Sequence, residues 1–200
     1  EVTQALYQSM MRDNPSFFQR CGMDCPVEMV TWHEAIFFAN VLNEHEGREI
    51  CYEFEGPEVL WPNGFDCKGW RLPTEAEWEF AARGGEDHRF SGSNNIDEVA
   101  WYGYSKSGKT PHPSCQKQQN GYGFCDMSGN VSEWVWNVYG TDVEESAIDP
   151  KGAKTGDRRG HRGGGWFDGV DFIRTANRNG IPPNELRNII GIRLVRTGEP

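Results

Sequence analysis

The hydrophobic pattern of this chain changes character at Gly84-Gly85, and that break limits the folds open to it. Before it, apolar residues recur at helical spacing behind helix-start signals. Thr3 to Met11 reads as a short helix, with Ala5, Leu6 and Met10 near one face, ending before Asn14-Pro15. Thr31 and Glu34 form a T-x-x-E capping box. Trp32, Ala35, Ile36, Ala39 and Leu42 then share a face, and Gly47 closes the helix. Thr74 and Glu77 repeat the box after Pro73. Trp78, Ala81 and Ala82 face inward there, and Glu75, Glu77 and Glu79 suit the positive end of the helix dipole.

After the break, short apolar stretches alternate with Gly, Asn, Ser and Pro clusters. Glu133–Val138 reads as a strand with Trp134, Trp136 and Val138 on one side. Ile190–Arg196 reads as another, with Ile190, Ile192 and Leu194 directed to the core. Helices followed by strands in 200 residues predict one α+β domain over 1–200. The chain holds 24 Gly, 11 Pro and 8 Trp, so the expected domain is loop-rich and stitched by aromatics. The irregular stretch Gly85–Gly129 is expected to pack down through Phe90, Trp101, Tyr102 and Tyr104.

The net charge of -10 argues against nucleic acid as a partner. Residues 151–200 carry eight Arg and two Lys against five acids, a net of +5 that leaves -15 in residues 1–150. That asymmetry predicts arginine–carboxylate pairing across the fold. A mean hydropathy of -0.71 and the lack of a long apolar run exclude a membrane-spanning helix. No charged-then-apolar leader begins at Glu1, so a secretion signal is expected to have been removed or to lie upstream. Six cysteines (21, 25, 51, 67, 115 and 125) allow fifteen pairings, and one to three disulfides in an exported protein are expected. Cys21-x3-Cys25 lacks a second ligand pair, and the five histidines are scattered, so a zinc site is not indicated.

Several motifs together resemble one family. They include Glu1-Val2-Thr3-Gln4-Ala5-Leu6-Tyr7, Trp70-Arg71-Leu72-Pro73-Thr74-Glu75-Ala76-Glu77-Trp78, and Asn120-Gly121-Tyr122-Gly123-Phe124. They continue with Asp126-Met127-Ser128-Gly129-Asn130-Val131-Ser132-Glu133-Trp134, Arg162-Gly163-Gly164-Gly165-Trp166 and Gly191-Ile192-Arg193-Leu194. The chain is similar to the formylglycine-generating-enzyme (sulfatase-modifying factor) family over nearly its whole length. The resemblance implies a C-type-lectin-like α+β fold rich in irregular loops, with one more strand upstream of Glu1. It also implies an oxidase whose paired cysteines follow the Gly-Gly-Ser-Tyr/Trp turn, where thiolate chemistry and copper both need sulfur. Here Trp166–Arg174 contains no cysteine, and none follows Cys125. The histidine cluster of the family's iron branch has no counterpart either. The chain is therefore expected to be catalytically silent.

The C-terminal pattern resembles a narrower group on the same frame, the variable proteins of diversity-generating retroelements, among them a spirochaetal variable lipoprotein. Arg162-Gly163-Gly164, Trp166, Arg174, Ala176, Arg178, Pro183, Ile190-Gly191 and Arg193 fit its fixed pattern. Gly165, Val170, Ile173, Leu186 and Ile192 depart from it. In that group template adenines are mutated, so Asn codons become Phe, Ile, Asp, Gly or Pro codons. The slots in the region about 160–192 hold such residues. The candidate ligand-binding residues are Phe167, Asp168, Gly169, Asp171, Phe172 and Ile173, followed by Gly180, Ile181, Pro182, Glu185, Leu186 and Ile189. Exposed together, the apolar ones form a patch that a partner would cover. Arg174, Arg178 and Arg193 are expected to hold the loops through hydrogen bonds and carboxylates.

Asn130 and Glu133 match a calcium position of the enzyme family, so a structural Ca2+ is implied there and no cofactor is required otherwise. Pro182-Pro183-Asn184 lacks the carboxylate of the lectin sugar motif. The expected function is that of a non-catalytic, surface-displayed ligand-binding monomer. Its partner would be a protein, such as a host or neighbouring-cell surface molecule, with no nucleic acid. Any membrane contact would come through an upstream lipid anchor, with the protein exported to the cell surface or beyond. The alternatives are an oxidoreductase of the same fold with altered chemistry and an accessory enzyme module.

Overall fold

The computed structural model describes residues 1–140, 152–153 and 155–198. Helix α1 spans Gln4–Met11, and the Thr3 side chain caps it at Leu6 N–H. Helix α2 (Trp32–Glu46) and helix α3 (Glu75–Arg83) each open with both halves of the predicted capping box, through Thr31/Glu34 and Thr74/Glu77. Each ends on a glycine in the left-handed region, Gly47 and Gly84. A hairpin that the sequence reading passed over, β1 (Glu53–Glu55) and β2 (Glu58–Leu60), lies between α2 and α3. Its alternation was hidden because one strand is exposed along its whole length and carries Glu at both ends.

After Gly85 comes a four-residue helix, α4 (Ile96–Val99), and then the central strand β3 (Ser132–Val138). Strands β4 (Arg159–Arg162), β5 (Asn179–Ile181) and β6 (Ile190–Gly191) complete a sheet of order β5-β4-β3-β6. The β3–β6 pair is parallel and the other two pairs are antiparallel. Alternation placed only one face of β3 in the core. In the structure Ser132 to Val135 are all buried, because β3 is an inner strand covered on both faces. The predicted Ile190–Arg196 strand is confined to Ile190-Gly191, with one further bridge from Val195 to Arg71. Ile190 and Ile192 are in the core, and Leu194 packs against it half-buried.

Tryptophans organise the interior, and the three most deeply buried, Trp32, Trp78 and Trp134, each place the indole N–H on an acceptor. Trp32 donates to the Val135 carbonyl at 2.9 Å, and Trp134 donates to the Val30 carbonyl at 2.9 Å. Trp78 donates to Glu133 Oε2 at 2.6 Å. A second small core of Phe90, Val99, Ala100, Tyr102 and Ile173 underlies the irregular stretch after Gly85, and Tyr104 at its edge is exposed. Asn120 substitutes for regular structure there: its amide donates to the carbonyls of Ala81 and Ala82, while its oxygen accepts from Tyr122 and Phe124 N–H. The six cysteines form three disulfides, Cys21–Cys25, Cys51–Cys67 and Cys115–Cys125.

His161 on β4 is buried beside Trp134, and burial, with Arg187 adding to it, pushes its imidazole down to about 4 from 6.5. The unfolded chain therefore takes up a proton near 6.5 that the folded chain refuses until about 4. This contribution is fully present above 6.5 and is lost as pH falls through that window. Urea midpoints should drop between about pH 7 and about pH 4.5, and drop less in His161→Leu.

Candidate functional site

The stretch between β4 and β5 leaves the sheet through three glycines. Gly163 and Gly164 hold φ of 91° and 65°, and a Cβ on Gly164 would sit 2.7 Å from Ile173 Cδ1. The turn that follows is closed on itself: Asp168 N–H donates to the Gly165 carbonyl, and Gly165 N–H donates to Asp168 Oδ2, both at 2.9 Å. Burial raises the Asp168 carboxyl, and the Gly165 N–H works against that rise. Trp166 N–H donates to the Asn130 carbonyl, Gly103 N–H donates to the Asp168 carbonyl, and Ser128 Oγ donates to the Ile173 carbonyl. A single turn of 3-10 helix, Val170–Phe172, completes the loop.

This frame turns two rings outward. Phe167 is 54% and Phe172 50% exposed. Phe167 belongs to an aromatic cluster with Trp166 (centroids 5.7 Å apart) and Tyr104 (5.5 Å). Phe18 packs edge-on against Trp166 at 5.2 Å, and exposed Phe17 packs against Phe18 at 5.0 Å. Sequence reasoning missed Phe17 and Phe18, which follow a helix-breaking Asn14-Pro15 and belong to no periodic run. Tyr104 was expected only to pack down. Asp171 is exposed and paired with Arg89 at 2.8 Å.

The second loop runs from Ile181 to Ile189. The buried Trp166 side chain ties the first loop to it by donating to the Asn188 carbonyl at 3.0 Å. The Pro183 carbonyl accepts from Trp32 N–H, and the Arg187 carbonyl accepts from Met29 N–H. Leu186 is 48% exposed, Pro182 is half-buried, and half-buried Glu185 pairs with Arg187.

Not every candidate faces outward. Ile173 is fully buried in the second core and anchors its loop, so it is not a contact residue. Gly180 is half-exposed, yet a Cβ there would lie 2.2 Å from the Tyr139 ring, so the position admits no side chain. Ile181 and Ile189 are half-buried against the main core. Gly169, by contrast, has open space around a would-be Cβ. Arg178 and Arg193 pair with Glu75 and Glu133, and Arg174 Nε donates to the Asp171 carbonyl, which is the loop-holding role expected of them.

Asn130 and Glu133 do not fit calcium. Both are buried, and both Glu133 oxygens accept from Arg193 Nε, at 2.8 and 2.9 Å, while Oε2 also accepts from Trp78. The Asn130 oxygen accepts from His112 N–H, and its amide donates to Glu1 and to the His112 carbonyl. A cation would have to replace a buried guanidinium. The position carries a hydrogen-bond network instead.

The chain matches the model of the sulfatase-modifying factor enzyme 1-like domain over residues 1–198. It is 33% identical to the chaperone protein LppX of Paenibacillus barcinonensis, across 98% of this chain and 78% of that one. It is 31% identical to the formylglycine-generating enzyme of Streptomyces coelicolor, across 70% of this chain and 52% of that one. Among solved structures it superposes on Treponema denticola variable protein 1 with a TM-score of 0.87 at 35% identity, covering 97% of this chain and 81% of the other.

Two outcomes check the site's geometry. Gly180→Ala should destabilise the fold by about 1–3 kcal/mol through overpacking on Tyr139, while Gly169→Ala stays within about 0.5 kcal/mol, as read by urea unfolding. Glu133→Gln should cost about 3–5 kcal/mol by stranding Arg193, and the melting temperature of the unsubstituted protein should be the same in calcium and in chelator.

Proposed function

The chain belongs to the sulfatase-modifying factor family, and from that premise we propose that it is a non-catalytic binding scaffold whose C-terminal loops carry the contact residues. The observation that carries the reading is the loop after Trp166. It holds two outward phenylalanines on a frame closed by Asp168 and anchored by Ile173, and it contains no sulfur. All six cysteines of the chain are paired elsewhere, so no thiolate is available to attack substrate or to hold copper.

The contact face consists of Phe167, Gly169, Asp171, Phe172 and Leu186, with Tyr104 beside Trp166 and Phe17 on Phe18 as fixed members. Burying a phenylalanine or leucine side chain contributes about 1.5–3 kcal/mol, and aromatic anchors ringed by polar groups are what protein partners recognise. Likeness to a variable protein supports the further reading that the loop residues differ between copies or strains. Three disulfides support export to an oxidising compartment, with the partner on a host or neighbouring-cell surface. The rival reading, an oxidase of the same fold, is favoured by the 31% identity to a formylglycine-generating enzyme.

Once a partner has been captured from a display of surface proteins, the variant Phe167→Ala/Phe172→Ala should weaken binding by about tenfold or more. Its melting temperature should stay within about 2 °C of the parent, because both rings are half in solvent. Formylglycine production from a sulfatase peptide with added copper should be nil, and turnover would reverse the assignment. A near-copy of the C-terminal coding segment beside a reverse transcriptase gene, differing at template adenines, is the expected sign of variation.

A further inference from the structure

A cleft of about 560 Å3 opens beside the second loop, apart from the aromatic face. Its walls are the Pro57–Val59 end of the β1–β2 hairpin, the Gly156–Arg159 approach to β4, and Pro183-Asn184. The start of α2, Trp32-His33, closes the fourth side. The half-buried His33 ring lies on this wall between the Pro57 and Pro183 sides of the cleft.

Arg159 lies in this cleft. Its guanidinium stacks 3.9 Å from the centroid of buried Trp32 and 5.3 Å from that of Trp136, and Nη1 donates to the Trp136 carbonyl at 2.8 Å. Arg71, Arg162, Arg178 and Arg193, also buried or half-buried, each meet a carboxylate within 2.8 Å. Arg159 meets none among the described residues. A desolvated guanidinium keeps five N–H donors in a fixed fork, and stacking on indole satisfies its faces but not its edge. Glu58 and Asp157 stand exposed at the rim, where they oppose polyanions without neutralising the floor.

We infer that this cleft is a carboxylate pocket, with Arg159 as the anchor for an acidic side chain of the protein that covers the second loop. The inference rests on the binding reading above, because it takes the occupant from the same partner. The cleft takes one carboxylate, held edge-on by the guanidinium fork and flanked by Trp32.

The test is a titration of the 15N-labelled full chain, followed at the Arg159 Nε–H and the His33 amide. The probes are N-acetyl-glutamate-N-methylamide, its glutamine counterpart, and acetate. The acid probe should give a saturable shift, and the amide probe should bind at least about tenfold more weakly, the scale of one charge-assisted bond. Arg159→Gln should abolish the response and Arg159→Lys should keep part of it. Equal binding of acid and amide, no saturable shift, or unchanged binding by Arg159→Gln overturns the pocket. Acetate binding as tightly as the peptide-like acid overturns its assignment to a protein side chain. Should Arg159→Gln fail to fold, the acid-against-amide comparison on the parent protein decides. Phe167→Ala/Phe172→Ala should leave this titration unchanged, so failure of the aromatic face and failure of the pocket are read separately.

Discussion

Glu133 is fully buried on an inner strand of the sheet, and two distant parts of the chain meet on its carboxylate. Arg193 comes from the segment after β6, Trp78 from α3, and the same arginine reaches on to the Cys125 carbonyl beside a disulfide. A buried ion pair of this kind adds little net stability over an apolar substitute, but it is costly to break and tolerates few rearrangements. The network therefore fixes register more than it adds free energy. With β3 held, the neighbouring Asn130 carbonyl is held, and Trp166 hangs its backbone N–H on that carbonyl.

The two loops that leave this frame are fixed at their roots and free at their tips. Ile173 is sunk in the second core, and Asp168 closes its turn through Gly165, so Phe167 and Phe172 project from a loop whose path does not depend on them. Exposed aromatics occur elsewhere too, as at Phe80 and Tyr122 on the outer side of α3. What distinguishes the Trp166 region is the packing of rings from two distant segments, Phe18 and Tyr104, together with the neighbouring Phe167 around one buried indole.

The helices were legible because capping boxes and left-handed glycines are local signals, and both Thr-x-x-Glu motifs formed as written. The acidic body and arginine-rich tail also found each other, through Glu75–Arg178 and Glu133–Arg193. Strand lengths were not legible. Alternation at Ile190–Leu194 continues past the point where a partner strand is available, so side chains keep their burial while the ladder stops at Gly191. Pattern matching assigned Ile173 and Gly180 to the surface by their place in a motif, but a Cβ direction against Tyr139, or a ring pocket beneath Ile173, exists only once distant segments have met. The same limit hid Phe17 and Phe18, whose role comes from Trp166, some 150 positions along the chain.

The closed turn between Gly165 and Asp168 has a consequence for anyone building a combinatorial library on this scaffold. Codons randomised at Asp168, Ile173 or Gly180 would fill the pool with misfolded members, since those side chains, or the lack of one, shape the backbone itself. Diversity placed at Phe167, Gly169, Asp171, Phe172 and Leu186 would be sampled by molecules that still fold, so nearly every clone would report on recognition.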